Sequence, residues 1–198
     1  MERNLANSIA ERIIYLISGD KSLKNILAYG FELIITSCLG VLMLIVCSIV
    51  SGVPVGWIPF LLGFAPLRTV AGGFHATTHN RCYLVTTSIY YLCISICKHV
   101  AYSPLYLILL AIMVYFIVFI FAPLAAKNKP LAEGTRSTNR CLSIMLSLVL
   151  VFFSVILCLI RYSDFYIALV FLGAAAASGS IVMAKIIDFL ERRISSND

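Results

Sequence analysis

The residues best suited to chemistry lie in one polar segment, residues 68–82, which separates two apolar stretches. The segment holds His75, His79 and Cys82, which are two of the three histidines and one of the seven cysteines. A thiol is a good nucleophile only as a thiolate, so a working cysteine needs a base or surroundings that favour the anion. The segment therefore predicts a nucleophile at Cys82 with His75 as its base.

The position of Cys82 also favours an anion. Asn80 is a residue type preferred at helix N-caps, and an apolar run begins at Tyr83. Cys82 would then lie in the first turn of a helix, where free N–H groups and the helix dipole attract negative charge. Arg81 adds a positive charge beside it.

The spacing of His75 and Cys82 requires a turn between them. Seven positions along a continuous helix separate two residues by about 10 Å, too far for a hydrogen bond between their side chains. We therefore expect the backbone to turn between residues 76 and 80. Gly72 and Gly73 would let the chain fold back or let a peptide backbone approach closely, and backbone N–H groups near Cys82 would meet an oxyanion.

Two other interpretations of the segment stay open. It could be a solvated loop without chemistry, or His75, His79 and Cys82 could share one face of an unbroken helix and bind a metal. No carboxylate lies in the segment, whereas a zinc hydrolase of the HExxH type would have one. We therefore expect no metal and no cofactor, although His79 remains a competitor of His75 for the role of base.

The other six cysteines have no such neighbours. Cys141 follows Arg140, but no histidine is near it in sequence. The remaining five lie inside apolar runs, where a thiol usually behaves as a small buried apolar group: Cys38, Cys47, Cys93, Cys97 and Cys158. No CxxC pair occurs, and nothing indicates a disulfide framework.

The composition predicts an all-α polytopic integral membrane protein with a single domain over residues 1–198. The chain is 61% hydrophobic and 12% charged, with a mean hydropathy of +1.00. Its continuous apolar runs of about 20 residues suit membrane helices and lack the alternation of barrel strands. We expect about six transmembrane helices and no cleavable signal peptide; the predicted spans are 26–50, 55–67, 81–97, 105–125, 141–160 and 165–187.

Two segments differ from the other spans. Residues 1–25 form a cytoplasmic amphipathic segment with a helix over 4–17, which lies on the membrane surface or packs on the protein. The span over 55–67 is short and contains two prolines and a glycine, so we expect it to be broken and not to cross the bilayer cleanly. The 68–82 segment would then be recessed on the near side of the membrane.

The positive charges predict the topology. With the N-terminus inside, 13 of the 15 Lys and Arg residues lie on the cytoplasmic side, and only Lys98 and Arg161 lie outside. Both termini, the 68–82 segment and a basic loop over 127–140 are then cytoplasmic. Topology explains the net charge of +6 better than nucleic-acid binding, because the charges follow the loops and form no single basic face.

The motif closely resembles that of the accessory gene regulator protein B (AgrB) family. Arg68, the run Ala71-Gly-Gly-Phe-His-Ala76 and Cys82 carry the resemblance, and Pro123 and residues 127–131 extend it. The resemblance implies a bacterial cell-membrane cysteine endopeptidase that processes a precursor peptide of the AgrD type into a cyclic quorum-sensing signal. It also implies a homodimer.

The resemblance also implies roles for individual residues. Cys82 would cleave the precursor through an acyl-enzyme, which a side chain of the peptide resolves to a thiolactone or lactone, with His75 moving the protons. Arg68, Gly72 and Gly73 would bind the precursor or shape the site. Exchange of one thioester for another needs no ATP, and the basic 127–140 loop could attract an acidic part of the precursor.

The alternatives to a peptide-processing enzyme are a small multi-span peptide transporter and a metal-dependent membrane protein that uses His75, His79 and Cys82. No pair of matching broken helices and no acid-lined path favours the transporter.

Overall fold

The computed structural model describes residues 2–17, 23–73, 79–99, 103–124 and 133–195. Within these ranges the chain forms seven α-helices and no strand, which confirms the all-α class. The chain forms two compact units, Met1–Cys47 and Ser48–Asp198. The helices are α1 (Glu2–Ile17), α2 (Leu23–Val50), α3 (Trp57–Ala71), α4 (His79–His99), α5 (Pro104–Phe121), α6 (Glu133–Leu159) and α7 (Phe165–Ser195).

The hydropathy of these helices indicates a membrane protein. Among the described helices, α2, α5, α6 and α7 are long and apolar enough to cross a bilayer by length and composition. Helix α3 is apolar but has only 15 residues, and α4 has polar residues in both terminal turns. The predicted order, one amphipathic helix and then six more, is present, while the count of about six spans stays a prediction.

In the first unit, the predicted amphipathic helix is confirmed as α1. Ala10 is fully buried, whereas Glu11 and Arg12 on the opposite face are exposed. Glu11 forms an ion pair with Lys24 in the first turn of α2. A charge pair between exposed side chains contributes little stability.

In the second unit, the backbones of α3 and α7 approach closely at two glycines. A Cβ atom on Gly63 would overlap the carbonyl oxygen of Val170, and one on Gly173 would overlap that of Phe60. Small residues at a crossing let two helices approach closely, which is how membrane helices gain packing energy without help from water. The glycines therefore fix α3 against α7.

A buried cluster joins α5 to this helix pair. Its side chains are small or aliphatic and at most 7% exposed: Leu67, Ala71, Val114, Val118, Ala122, Ala174, Ala177 and Ile181. The outward faces of α5 and α6 carry exposed apolar side chains, such as Ile120 and Phe152. In a membrane these faces contact lipid.

Helix α4 is anchored on the pair by Tyr90, which is fully buried. Its ring centroid lies 4.8 Å from that of Phe60 in α3, and its hydroxyl hydrogen-bonds the Ser48 hydroxyl. A Cβ on Gly56 would come within 2.9 Å of the Tyr90 oxygen, so a glycine is favoured there as well. These contacts fix the register of α4, which carries Cys82.

The expected break in the 55–67 span is wrong, because α3 is one continuous helix from Trp57 to Ala71. Pro59 lies in the first turn, where its missing N–H costs nothing. Gly63 serves the crossing with α7, and the helix continues past Pro66. The 68–82 segment is accordingly not one loop: residues 68–71 are the last turn of α3, and residues 79–82 are the first turn of α4.

The predicted 127–140 loop is wrong over its second half. Residues 133–140 are the first turns of α6, which begins at Glu133 rather than Cys141. An acidic residue in the first turn suits the helix dipole, and no proline follows in this stretch to stop the helix. Residues 127–132 lie outside the described residues. Helix α7 likewise runs to Ser195, beyond the predicted end near residue 187.

Candidate functional site

Cys82 lies in the first turn of α4 and is half-buried. The helix begins at His79, so Asn80 is within the helix and is not the N-cap that the sequence predicted. The expectation about charge does not depend on this difference of two residues. A side chain in the first helical turn still experiences the positive end of the dipole.

The side chain of Cys82 lies on the face of α4 that packs against α7. Eleven residues separate it from Cys93, which turns the helix to within about 20° of the same direction. Cys93 is buried, and its thiol donates to the carbonyl oxygen of Leu172 at 4.0 Å. The Cys82 thiol is therefore directed toward the interior of the second unit.

Arg68 is the polar residue at which three helices meet. It lies in the last turn of α3, half-buried. Its Nη1 donates to the carbonyl oxygen of Gly72 at 3.0 Å and to Oγ of Ser180 in α7, also at 3.0 Å. The guanidinium is also close enough to Cys82 of α4 for its charge to act on a thiolate there.

Gly72 pairs the end of α3 with the chain after α5. Its φ is +77°, a value that L side chains rarely adopt, and it forms a parallel bridge with Leu124. The N–H of Leu124 donates to the carbonyl oxygen of Ala71 at 2.9 Å. A Cβ on Gly72 would overlap the Leu124 carbonyl oxygen, so only glycine fits this bridge.

Gly73 is buried directly against the guanidinium. Its φ is +134°, and a Cβ there would overlap both Nη1 of Arg68 and Oγ of Ser180. Gly72 and Gly73 were expected to let the chain fold back or to let a peptide backbone approach closely. In the structure their positive φ values let the backbone turn around Arg68, while the approach of a peptide stays a prediction.

The structure brings together four of the five residues predicted for the site: Arg68, Gly72, Gly73 and Cys82. His75 lies outside the described residues, so its distance from Cys82, and with it the dyad, stays a prediction. Helix α4 includes His79, whose side chain is not described. Within the described residues no three His, Cys, Asp or Glu side chains cluster as metal ligands; the metal alternative, which needs His75, is not tested.

The other cysteines differ from Cys82 in their surroundings. Cys93 and Cys97 are buried, as expected for thiols that act as small apolar groups. Cys47 and Cys158 are half-buried and Cys38 is exposed, so for these three the expected burial is incomplete. Cys141 is exposed on α6, where the nearest polar contact of its thiol is the Met145 sulfur at 3.9 Å.

Two residues of the site were missed by the sequence reasoning. Ser180 accepts a hydrogen bond from Arg68, and Leu124 pairs with Gly72. The run of small residues over 173–180 could have indicated a close helix crossing, and Pro123 could have drawn attention to its neighbour Leu124. Neither signal identifies a particular hydrogen bond.

The arrangement is suited to negative charge. Cys82 lies in the first turn of a helix and within range of the Arg68 charge, and both a guanidinium and a helix N-terminus stabilise anions. A thiolate, the oxyanion of a tetrahedral intermediate and a carboxylate of a bound peptide are all groups that such a site stabilises.

Known proteins match most of this chain. Residues 3–184 match the family model described as Accessory gene regulator B. The chain is 27% identical over 177 residues to a Clostridium perfringens strain 13 protein named for its likeness to AgrB, AgrB-like protein 2; the match covers 83% of this chain and 80% of the relative. An AgrB-like protein of C. perfringens strain SM101 is 27% identical over 174 residues, with 82% and 79% covered. No solved structure matches the chain.

Proposed function

Because the chain belongs to the AgrB family, which acts in the processing of agr quorum-sensing peptides, we propose that it is a membrane cysteine endopeptidase. Its substrate is a small precursor peptide of the AgrD type, which it cleaves and helps to cyclise. The nucleophile is the Cys82 thiolate and the base is His75. The observation that best supports the proposal is the position of Cys82 in the first turn of α4, near an Arg68 side chain that two hydrogen bonds hold in place.

The first half of the reaction forms an acyl-enzyme. His75 takes the thiol proton of Cys82, and the sulfur attacks the carbonyl carbon of the scissile peptide bond. As the tetrahedral intermediate collapses, the carbon–nitrogen bond breaks and His75 returns the proton to the leaving amine. The C-terminal tail of the precursor departs, and the rest of the peptide remains bound to Cys82 as a thioester.

The second half closes the ring. A thiol or hydroxyl side chain of the bound peptide loses its proton to His75 and attacks the thioester carbonyl. The bond to Cys82 breaks, and the proton returns to the Cys82 sulfur. When the attacking group is a thiol, one thioester replaces another, so the step conserves bond energy and needs no nucleotide.

Arg68 serves this chemistry by its charge and by its fixed position. Its hydrogen bonds to Gly72 and Ser180 hold the guanidinium in place before the substrate arrives. A charge held in advance of the reaction stabilises the developing oxyanion without reorganisation during the step. We assign Arg68, Gly72 and Gly73 to precursor binding and to the architecture of the site.

The proposal includes a location. The distribution of Lys and Arg favours both termini and the site on the cytoplasmic side of a bacterial cell membrane. A site recessed below that surface excludes water, which protects the acyl-enzyme from hydrolysis until the ring closes. The proposal also includes a homodimer, which the resemblance to the family implies.

Cleavage by purified protein in liposomes, with an AgrD-type precursor added, tests the proposal. We expect Cys82→Ala and His75→Ala each to lower the cleavage rate by about 10³-fold or more, because each removes a partner that the other needs. Cys141→Ala is the matched control: this cysteine also follows an arginine but has an exposed thiol, and the variant should keep wild-type activity.

Three results would contradict parts of the proposal. Full cleavage by Cys82→Ala would exclude the nucleophile. Loss of cleavage in His79→Ala but not in His75→Ala would make His79 the base. Loss of activity on adding a chelator, with no effect of iodoacetamide, would favour the metal alternative over a thiol enzyme.

A further inference from the structure

The hydrogen bonds of the Ser180 hydroxyl make its oxygen an acceptor for Arg68. Its hydroxyl donates to the Ala177 carbonyl oxygen one turn earlier in α7, at 2.6 Å. A serine hydroxyl has one proton and two lone pairs, so the oxygen can still accept. It accepts from Nη1 of Arg68 at 3.0 Å.

The same guanidinium nitrogen has a second acceptor, and the two together fix its orientation. Nη1 has two hydrogens, and the structure provides one acceptor in α7 and one in the turn after α3, the Gly72 carbonyl oxygen at 3.0 Å. A planar group with two acceptors on one nitrogen cannot rotate freely. Of these two hydrogen bonds, only the one to the Gly72 carbonyl oxygen, four residues away on the same segment, would remain without Ser180.

We propose that Ser180 is a positioning residue of the thiol site: it fixes the orientation of the Arg68 guanidinium and affects Cys82 only through Arg68. The inference rests on the proposed role of Cys82 as nucleophile. It extends the site to α7, a helix that contributes no residue to the 68–82 motif.

The test measures the reactivity of Cys82 without any precursor. Purified protein in nanodiscs is alkylated with iodoacetamide at neutral pH, and mass spectrometry follows the peptides that contain Cys82 and Cys141. We expect Ser180→Ala to slow alkylation of Cys82 about five- to tenfold, since a hydrogen bond to a charged group is lost. The exposed Cys141 should react at an unchanged rate.

Three further variants separate positioning from general damage. Ser178→Ala is the matched control, because Ser178 is buried in the same helix and donates the same kind of bond, to the Ala175 carbonyl oxygen at 2.9 Å. This variant should change neither the rate of Cys82 alkylation nor that of Cys141. Ser180→Thr keeps the hydroxyl and should restore the Cys82 rate. In an Arg68→Met background, Ser180→Ala should have no further effect.

The outcomes are distinct from those that test the proposed function. The inference is overturned if Ser180→Ala leaves Cys82 alkylation at the wild-type rate while Arg68→Met slows it, or if Ser178→Ala slows it equally. Cleavage by Cys82→Ala would instead refute the proposed function and leave the alkylation result unchanged. Should Ser180→Ala fail to fold, the comparison of Ser180→Thr with Ser180→Val decides, because the two side chains have similar shapes and only threonine has a hydroxyl. Slower alkylation of Cys82 in the valine variant supports the inference, and equal rates overturn it.

Discussion

At position 73 the backbone has room for a hydrogen atom and nothing larger. Gly73 has a φ of +134°, and a Cβ would overlap Nη1 of Arg68 and Oγ of Ser180. We expect Gly73→Ala to displace the guanidinium and to lower precursor cleavage about 100-fold, the loss typical of removing one stabilising donor. Strain of about 1–3 kcal/mol at this φ adds to the effect and will lower the melting temperature.

Gly179→Ala is the control for that substitution. Gly179 adjoins Ser180 in α7, but a Cβ on it would meet nothing within 4 Å. The variant should cleave the precursor at the wild-type rate and melt at the same or a higher temperature, because alanine favours a helix. Equal rates for the two alanine variants would show that the contact of Gly73 with Arg68 does not matter for cleavage.

The residues of the site were predictable only where they adjoin in sequence. Arg68, Gly72, Gly73 and Cys82 stand out because they form one polar segment in an apolar chain. Ser180 is 112 residues from Arg68, and its bond to the carbonyl three residues earlier is shared by other buried serines such as Ser143. The sequence around Ser180 looks like that of a serine in any packed helix, so only the fold shows that Ser180 accepts a hydrogen bond from a guanidinium.

The crossing of α3 and α7 is the contact between elements on which the site depends. Gly63 lies against the Val170 carbonyl, and a larger residue would force the two helices apart. We expect Gly63→Val to destabilise the protein by about 1–3 kcal/mol, the usual cost of overpacking a buried position. The measurement is the thermal unfolding of the protein in detergent.

Gly30→Ala in α2 provides the comparison for the crossing. A Cβ there would meet nothing within 4 Å, so the variant should be as stable as wild type or slightly more stable. In the Gly63→Val variant iodoacetamide should also alkylate Cys82 more slowly, because Arg68 lies on α3 and Ser180 on α7, the two helices that the valine forces apart. Unchanged melting of Gly63→Val would mean that α3 and α7 are not in backbone contact.

Helices were predictable as elements, but their ends were not. Apolar runs correctly indicated α2 and α5, since lipid favours a helix over any open structure. The same signal placed the start of α6 at Cys141, eight residues after Glu133. Hydropathy marks where lipid begins, and a helix continues past that boundary wherever no residue stops it. Proline was misleading as a sign of a break in α3, because Pro59 lies in the first turn of the helix, where a backbone N–H would have no partner within the helix.

At the scale of the whole molecule, the length of α7 indicates the depth of the site. Its 31 residues extend over about 46 Å, more than the roughly 30 Å of a bilayer core. If the helix enters the core at Phe165, Ser180 lies about 22 Å along it, roughly 8 Å short of the opposite boundary. Arg192 and Arg193 then lie beyond the core, on the side where Lys and Arg predominate. Such a depth would suit the proposed site on the cytoplasmic side.

Labelling the two ends of α7 tests this topology. Tyr162 precedes the helix and is 52% exposed, and the Arg192 side chain near the other end is 79% exposed. In a background with the seven native cysteines replaced by serine, we expect an impermeant maleimide to label Tyr162→Cys in intact cells but Arg192→Cys only after permeabilisation. Labelling of position 192 from outside would reverse the orientation and place the site on the outer side. Cleavage would then occur outside the cell, where a precursor that stays in the cytoplasm could not reach Cys82.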